Sequence, residues 1–259
     1  VAMSKFQVFL IVLYLFFFGG VGGWVLELLF RRFFSGANPE RKWLNPGFLF
    51  GPCLPLYGFG TVLLFILSEL DHTLFGSFSG TFWYYPVMFV VMALAMTLLE
   101  YIVGLVSFKG FHLRLWDYSK QPGNLQGLIC PKFSLAWGLL SAAYLFLVHP
   151  HVLAALQWLK DNLAFSFVVG MFFGFILVDY AYSSHLMLKI KRFAQDNDVV
   201  VRYESIKSYL SNLRAQRGKR HFFLSLHTEQ PLPERLRQYY EHLREREVSF
   251  ERLHKNRKK

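Results

Sequence analysis

Residues 84–106 read YYPVMFVVMALAMTLLEYIVGLV, a run in which Glu100 is the only charged residue. The hydrocarbon core of a bilayer is about 30 Å thick, and a helix needs about 20 apolar residues to cross it. Four further runs approach this length, at about 6–30, 48–70, 127–149 and 163–186. The alternating pattern of a membrane β-barrel is absent from all of them. The sequence therefore predicts an all-α, polytopic helical membrane protein with five transmembrane helices.

The composition excludes several classes of protein. Hydrophobic residues make up 54% of the chain and charged residues only 17%, whereas a soluble helical bundle would carry charged faces at helical spacing. The two cysteines, Cys53 and Cys130, form neither a disulfide framework nor a cluster with metal-ligand spacing. We therefore expect no metal site and no cofactor, and we identify no catalytic residue.

The distribution of lysine and arginine predicts the orientation, because basic residues concentrate in cytoplasmic loops. The stretch 71–83 has no basic residue, and Lys160 is the only one in the loop before the fifth run. The other connections are rich in them, with Arg31, Arg32, Arg41 and Lys42 after the first run, Lys109, Arg114 and Lys120 after the third, and Lys189, Lys191 and Arg192 after the fifth. The N-terminus is therefore expected outside and the C-terminus in the cytoplasm.

The chain divides by composition into a transmembrane region, residues 1–188, and a basic cytoplasmic tail, residues 189–259. The tail carries 18 of the 28 basic residues. Apolar residues recur in it at helical spacing after Pro231 and Pro233, namely Leu232, Leu236, Tyr239, Tyr240, Leu243 and Phe250. This pattern predicts an amphipathic helix. It fits either a helix attracted to anionic lipid or one that docks on a protein partner, and no nucleic-acid-binding fold underlies the charge.

Two parts of the membrane region resemble each other and predict a tandem helix-pair repeat. Each has a glutamate near the end of a run (Glu27 and Glu100), a basic loop, and an apolar segment that starts with an asparagine (Asn45 and Asn124). The returning segments contain residues that break helices, namely Gly51, Pro52, Pro55, Gly58 and Pro131. These residues predict either non-helical backbone at membrane depth, which must be buried in protein, or simply helix starts with proline in the first turn.

The intramembrane carboxylates are expected to face protein, since a charge in the bilayer costs about 2.5–3.5 kcal/mol on the insertion scale. Arg31 lies one helical turn after Glu27 and can pair with it. For Glu100 we expect a partner in the loop that carries Trp116-Asp117-Tyr118-Ser119 and Asn124, with Asp117 and Asn124 satisfying buried donors. The partner of Asp179 stays open between a basic residue of another helix and the interface.

Taken together, these motifs resemble the ABC-transporter permease (type IV) family of bacterial multi-pass membrane proteins. The resemblance extends from about Gly20 to Leu140 and rests on Gly23-Trp24-x-x-Glu27, Asn45-x-Gly47-Phe48-Leu-x-Gly51-Pro52-x-x-Pro55-x-Tyr57-Gly58, Glu100, Trp116-Asp117-Tyr118-Ser119, Asn124-x-x-Gly127-x-Ile129-Cys130 and Ser134-x-x-Trp137-Gly138. It implies an inner-membrane permease. The second repeat departs from the first, with Lys132 and Ser134 where Cys53 and Pro55 stand.

Three functions compete at this point. The first is a permease-like transporter subunit that acts as an oligomer or with a separate ATPase, since the chain has no phosphate-binding loop of its own. Its path would be lined by a polar cluster, for which the candidate residues are Glu27, Asn45, Tyr57, Glu100, Trp116, Asp117, Tyr118, Asn124 and Trp137. The alternatives are a membrane scaffold or regulator whose tail docks a partner or lipid, and an intramembrane lipid-modifying enzyme. The expected partners are the lipid bilayer, an ATPase subunit and further copies of the chain.

Overall fold

The structure is a computed structural model. It describes residues 5–36, 38, 41–74, 82–197, 199–203, 205–207, 209, 233–241 and 244. Six α-helices make up most of the described residues: α1 Lys5–Phe33, α2 Pro55–Leu74, α3 Tyr84–Leu105, α4 Pro131–Ala143, α5 His149–Asp161 and α6 Ser166–Asp196. Two short strands, β1 Leu113–Arg114 and β2 Val201–Arg202, pair in parallel with Leu113 opposite Val201.

Short irregular helical turns extend several of these helices. A π-helical turn, Val106–Gly110, follows α3, and another, Tyr144–Val148, joins α4 to α5. Pro150 in the first turn of α5 has no N–H and would clash with the carbonyl four residues earlier in a regular helix. The wider π-helical turn accommodates this proline. A 3₁₀ turn, Leu163–Phe165, precedes α6.

Four helical segments are long and apolar enough to cross a membrane, namely Lys5–Phe33, Tyr84–Gly110, Pro131–Leu159 and Leu163–Asp196. The predicted all-α membrane class is confirmed, but the count of five spans is not. The apolar part of α2, Pro55–Leu70, is shorter than the others. Of the predicted span 48–70, residues 48–54 are not helical.

These non-helical residues belong to the first loop, residues 41–54, which runs back along α1. The Leu54 N–H donates to the Gly20 carbonyl oxygen at 3.0 Å. Gly20 lies 13 residues before the end of α1, which is roughly 20 Å along the helix axis at 1.5 Å per residue. The first loop therefore reaches well into the bundle, and α2 begins there rather than at its end. Hydropathy alone does not distinguish the two conformations, because the re-entering residues are as apolar as a helix would be.

Glycines on one face of α1 allow α2 to approach closely. A Cβ atom on Gly19 would lie 2.2 Å from Oγ1 of Thr61, and one on Gly23 would lie 2.2 Å from the Cβ of Tyr57. Small residues four apart are a common device for packing membrane helices, because the backbones can then come into contact. This contact sets α1 and α2 as one helix pair.

The remaining helices pack through two apolar clusters. Met88, Met92 and Met96 form one stripe of α3 and contact Leu64 of α2 and Trp137 of α4. The second cluster joins α1 to α5 and α6 and contains Ile11, Tyr14, Leu15, Leu156, Leu159 and Val169. The α3–α4 pair is thus joined to the α1–α2 pair, and α6 lies against α1.

The described tail residues pack against the loop end of the bundle. α6 continues without a break to Asp196, past the predicted boundary between residues 188 and 189. Beyond it, Val201 and Ile206 share a buried cluster with Leu113 of β1 and with Leu236. Residues 233–241 are helical, with Leu236 and Tyr239 buried as the amphipathic pattern predicts. Leu232, Leu243 and Phe250 lie outside the described residues.

Candidate functional site

Glu27 is held by groups from two helices. Its Oε1 accepts from Nε of Arg31 at 2.8 Å, one turn along α1, and its Oε2 accepts from the hydroxyl of Tyr57 on α2 at 3.2 Å. The guanidinium of Arg31 compensates the negative charge of Glu27 within the α1–α2 pair. The structure brings together Glu27, Arg31 and Tyr57, of which the pairing with Arg31 follows from helical spacing.

Glu100 occupies the corresponding place in the α3–α4 pair but has a different set of partners. Its side chain is 3% exposed. Oε1 accepts from the hydroxyl of Tyr118 at 3.0 Å, while Oε2 is buried with no hydrogen-bond partner among the described residues. The Trp137 indole lies beside the carboxylate, and the rings of Trp137 and Tyr57 are 5.1 Å apart. Aromatic contact therefore joins the two helix pairs where both carboxylates lie.

The second loop, residues 111–130, is folded by its own side chains. Nε1 of Trp116 donates to the Leu128 carbonyl oxygen at 2.8 Å. Nδ2 of Asn124 donates to the carbonyl oxygens of Ser119 and Gln121, and its Oδ1 accepts from the Gly127 N–H. Asn124 therefore supports the loop from within, while Tyr118 reaches Glu100.

Asp117 faces away from Glu100, toward the tail. It accepts from the Ser119 N–H at 3.0 Å and forms ion pairs with Arg114 at 3.5 Å and with Arg202 of β2 at 3.2 Å. Burial acts to raise the pKa of Asp117, but the hydrogen bonds from Ser119 and the charges of Arg202 and Arg114 outweigh it, and the pKa is lowered. Asp117 thus stays ionised and links the second loop to the tail.

The ring of Tyr118 is fixed by Phe133 of α4. The two rings stack in parallel with centroids 4.4 Å apart. Burial and, after it, the negative charge of Glu100 raise the pKa of Tyr118 above its usual range. Its hydroxyl therefore keeps its proton and acts as a donor to Glu100.

The first loop is held by side chains from three directions. Asn45 accepts from Nε1 of Trp24 on α1 at 2.6 Å and donates to the carbonyl oxygens of Leu49 and Phe50. Asp179 of α6 accepts from the N–H groups of Phe50 at 3.0 Å and Gly51 at 2.7 Å. Every one of these contacts satisfies a polar group that re-enters the bundle, as non-helical backbone at membrane depth requires.

The third direction is the tail. Lys207 is 1% exposed, and its Nζ donates to the carbonyl oxygens of Asn45 and Gly47. Gly47 has φ +76°, in the left-handed region, and a Cβ atom there would lie 2.4 Å from the Leu54 side chain. Glycine is required at this position on both grounds.

The residues singled out as helix breakers occupy different positions. Pro55 and Pro131 are the first residues of α2 and α4, where a missing N–H is tolerated. Gly51 and Pro52 lie in the first loop. Gly58 lies inside α2, where a Cβ atom would be 2.8 Å from the ring of Phe16, so it permits close packing of α1 and α2.

Sequence reasoning missed Lys207, and for Asp179 it weighed a basic residue of another helix against the interface rather than the backbone N–H groups that Asp179 binds. The partners of Asp179 and Lys207 are 128 and 162 residues away, and no local spacing reports such contacts. The sequence contains two signals that point to these residues. Asp179 is an acidic residue at the end of an apolar run, and Lys207 follows Ile206 after a stretch rich in β-branched residues. Among the described residues no group of three His, Cys, Asp or Glu side chains has a geometry that fits a metal ion.

Comparison with known proteins gives one finding. Neither the curated proteins nor the solved structures contain a match to this chain. A family model with the description "Putative ABC-transporter type IV" matches residues 14–184, which is well over half of the chain and includes both helix pairs. The chain therefore belongs to this ABC-transporter type IV family.

Proposed function

We propose that this chain is the permease-like subunit of a membrane transport system. The observation that carries the proposal is the first loop, which re-enters the bundle beside Gly20 and makes α2 start at depth. In membrane transporters, substrate and ion sites form at interrupted helices, whose backbone groups are free to bind. A protein that only anchors a tail has no need of such an interruption.

The proposed path runs between the α1–α2 pair and the α3–α4 pair. Its polar groups are the two carboxylates, Glu27 and Glu100, and the hydroxyls of Tyr57 and Tyr118 that donate to them. Intramembrane carboxylates are expensive to bury and usually mark a substrate or ion pathway. Asn45 and Asn124 shape the two loops at one end of this path, together with Trp116, Asp117 and Trp137.

A separate ATPase subunit would supply the energy. The family description names an ABC transporter, and the sequence contains no Gly-x4-Gly-Lys-[Ser/Thr] phosphate loop. Five crossings are few for a complete pore, which favours a second copy or a partner chain in the working assembly.

The contacts of the tail support five crossings, with the N-terminus outside and the C-terminus in the cytoplasm of a bacterial inner membrane. The first loop contacts Lys207 and the second loop pairs with β2, so both loops lie on the side of the tail. A crossing by α3 between these two loops requires α2 to cross as well, which supports the proposal of five crossings. Reporter fusions after Lys189 and His72 test this: a cytoplasm-specific reporter active after His72 or silent after Lys189 would contradict the topology.

The chain's two cysteines provide the test of the transport path. Cys53 lies in the first loop and Cys130 just before α4, and each is 2% exposed. In a Cys130→Ala background, we expect Cys53 to react with a small membrane-impermeant thiol reagent, at a rate that changes with ATP when the ATPase subunit is present. Cys130 in a Cys53→Ala background is the matched control, and its labelling rate should be the same with and without ATP. If Cys53 stays unreactive in every nucleotide state, the scaffold function replaces transport.

A further inference from the structure

The two buried carboxylates differ in how their charge is balanced. Glu27 has a guanidinium at 2.8 Å and a phenol hydroxyl on its other oxygen. Glu100 is 3% exposed, its Oε1 accepts from the Tyr118 hydroxyl, and its Oε2 has no hydrogen-bond partner among the described residues. No lysine, arginine or histidine of the described residues forms an ion pair with it. The negative charge of Glu100 would therefore stand uncompensated within a membrane-spanning helix.

The described groups around Glu100 include neutral donors but no positive charge. From α1 it faces the carboxylate of Glu27, which lies within electrostatic range. From α2 it faces Tyr57, whose hydroxyl is already committed to Glu27. The second loop contributes the Tyr118 hydroxyl and α4 contributes the Trp137 indole, which are neutral donors and leave the charge of Glu100 without a counter-ion. An isolated carboxylate in such surroundings costs several kcal/mol, and a positive charge bound at Oε2 removes that cost.

Among positive charges, the proton fits the site. Oε2 is buried, whereas a metal ion such as Na⁺ needs several oxygen ligands around a void of its own size. A proton needs only the carboxylate oxygen itself. Tyr118 keeps its own proton, as described above, so it stays a donor to Oε1 whether or not Oε2 is protonated.

We propose that Glu100 is the proton-binding group of this protein and that a proton taken from water onto Oε2 is released again when the site opens. This deepens the proposed function, because it names the proton as the ion that occupies the path. Proton binding at Glu100 does not depend on the proposed function, whereas the role of that proton in transport rests on it. Binding and release form and break the O–H bond alone, and no other reactant is required.

Infrared spectroscopy of the full chain in lipid nanodiscs tests this directly, since a protonated carboxylic acid absorbs separately from a carboxylate. At neutral pH we expect a carboxylic acid band that is lost in Glu100→Gln and retained in Glu27→Gln. Glu69→Gln is the matched control, because Glu69 is half exposed and should contribute no such band. A wild-type protein without the band, or a band that is lost in Glu27→Gln and kept in Glu100→Gln, overturns the proposal.

A second variant separates this role from folding. Tyr118→Phe removes the donor to Oε1 but keeps the ring that stacks on Phe133. We expect the band to remain and to shift to higher frequency, because the carbonyl loses a hydrogen bond. An unshifted band would mean that it belongs to another group. The spectrum requires no transport, so failure to detect substrate movement counts against the proposed function alone.

Discussion

Lys207 donates a hydrogen bond to the carbonyl oxygen of Asn45, although 162 residues separate them. The same ammonium group lies 3.0 Å from the Gly47 carbonyl oxygen and 5.4 Å from the ring centroid of Tyr203. A lysine is seldom this deeply buried unless its charge is satisfied. The contact makes the described part of the tail a structural component of the first loop.

Removing the Lys207 donor should destabilise the protein. Lys207→Met keeps the apolar stem but leaves two buried carbonyls without this donor, at about 1–3 kcal/mol for each unsatisfied group. Lys189→Ala is the matched control, because Lys189 is exposed on α6 and loses the same charge. Thermal unfolding in detergent should show a lower midpoint for Lys207→Met alone. Equal midpoints for both variants would show that the contact contributes nothing.

Truncation after Arg192 should leave the helices inserted but open the loop end of the bundle. The cut removes Val201, Ile206 and Leu236 from a buried cluster that includes Leu113, so burial of the second loop is lost. Truncation after Arg244 keeps all three residues and serves as control. Limited proteolysis should cut the loops rapidly only in the shorter protein. Equal protection in both would show that the tail does not cover the loops.

The close approach of α1 and α2 predicts different effects for neighbouring glycines. In Gly23→Ala the new methyl group would lie 2.2 Å from Tyr57 carbon atoms, whereas nothing lies within 4 Å of a Cβ atom on Gly22. Overpacking of this kind costs typically 1–3 kcal/mol, while alanine in an open helical position is favourable by up to about 1 kcal/mol. Thermal unfolding should separate the two variants, and a stable Gly23→Ala protein would exclude the close packing.

Asp179 should hold the first loop in the conformation that buries Cys53. Asp179→Ala removes the acceptor of two backbone N–H groups at 2.7 and 3.0 Å, and those groups then have to find water. We expect faster thiol labelling of Cys53 in this variant. Asp161→Ala, at the exposed end of α5, is the control and should label at the wild-type rate. Should both variants label alike, Asp179 does not hold the loop.

The attachment of the tail to the second loop should weaken in acid. The pKa of Asp117 in the folded protein is lowered from 3.8, so its ionised form contributes stability above that pH and loses it as the pH falls through the folded value. We expect limited proteolysis to cut the chain between Arg202 and the helical residues 233–241 faster below about pH 4. In Asp117→Asn the rate of cleavage should no longer rise in acid. An unchanged rise would mean that another carboxyl group is responsible.

The sequence predicted what local spacing and the cost of charge in a membrane determine. The Glu27–Arg31 pair follows from one helical turn, and the placement of Glu100 against the second loop follows from its burial. The sequence did not predict which residue forms the hydrogen bond with Glu100. Tyr118, Asp117 and Asn124 all lie in that loop, and the backbone geometry decides between them. The start of α2 at Pro55 also could not be derived, because residues 48–54 are apolar in either conformation. Asp179 and Lys207 depend on tertiary contacts that no local pattern encodes.

The contact between Lys207 and the first loop also sets an order of events during biosynthesis. Translation proceeds at about 5–20 residues per second, so the ribosome reaches Lys207 roughly 8–30 seconds after Asn45. All the apolar helices have been translated by then, while the carbonyl groups of Asn45 and Gly47 still lack their lysine donor. The nascent chain therefore passes through an inserted stage with an unfinished loop, and completion of the fold awaits synthesis of its tail.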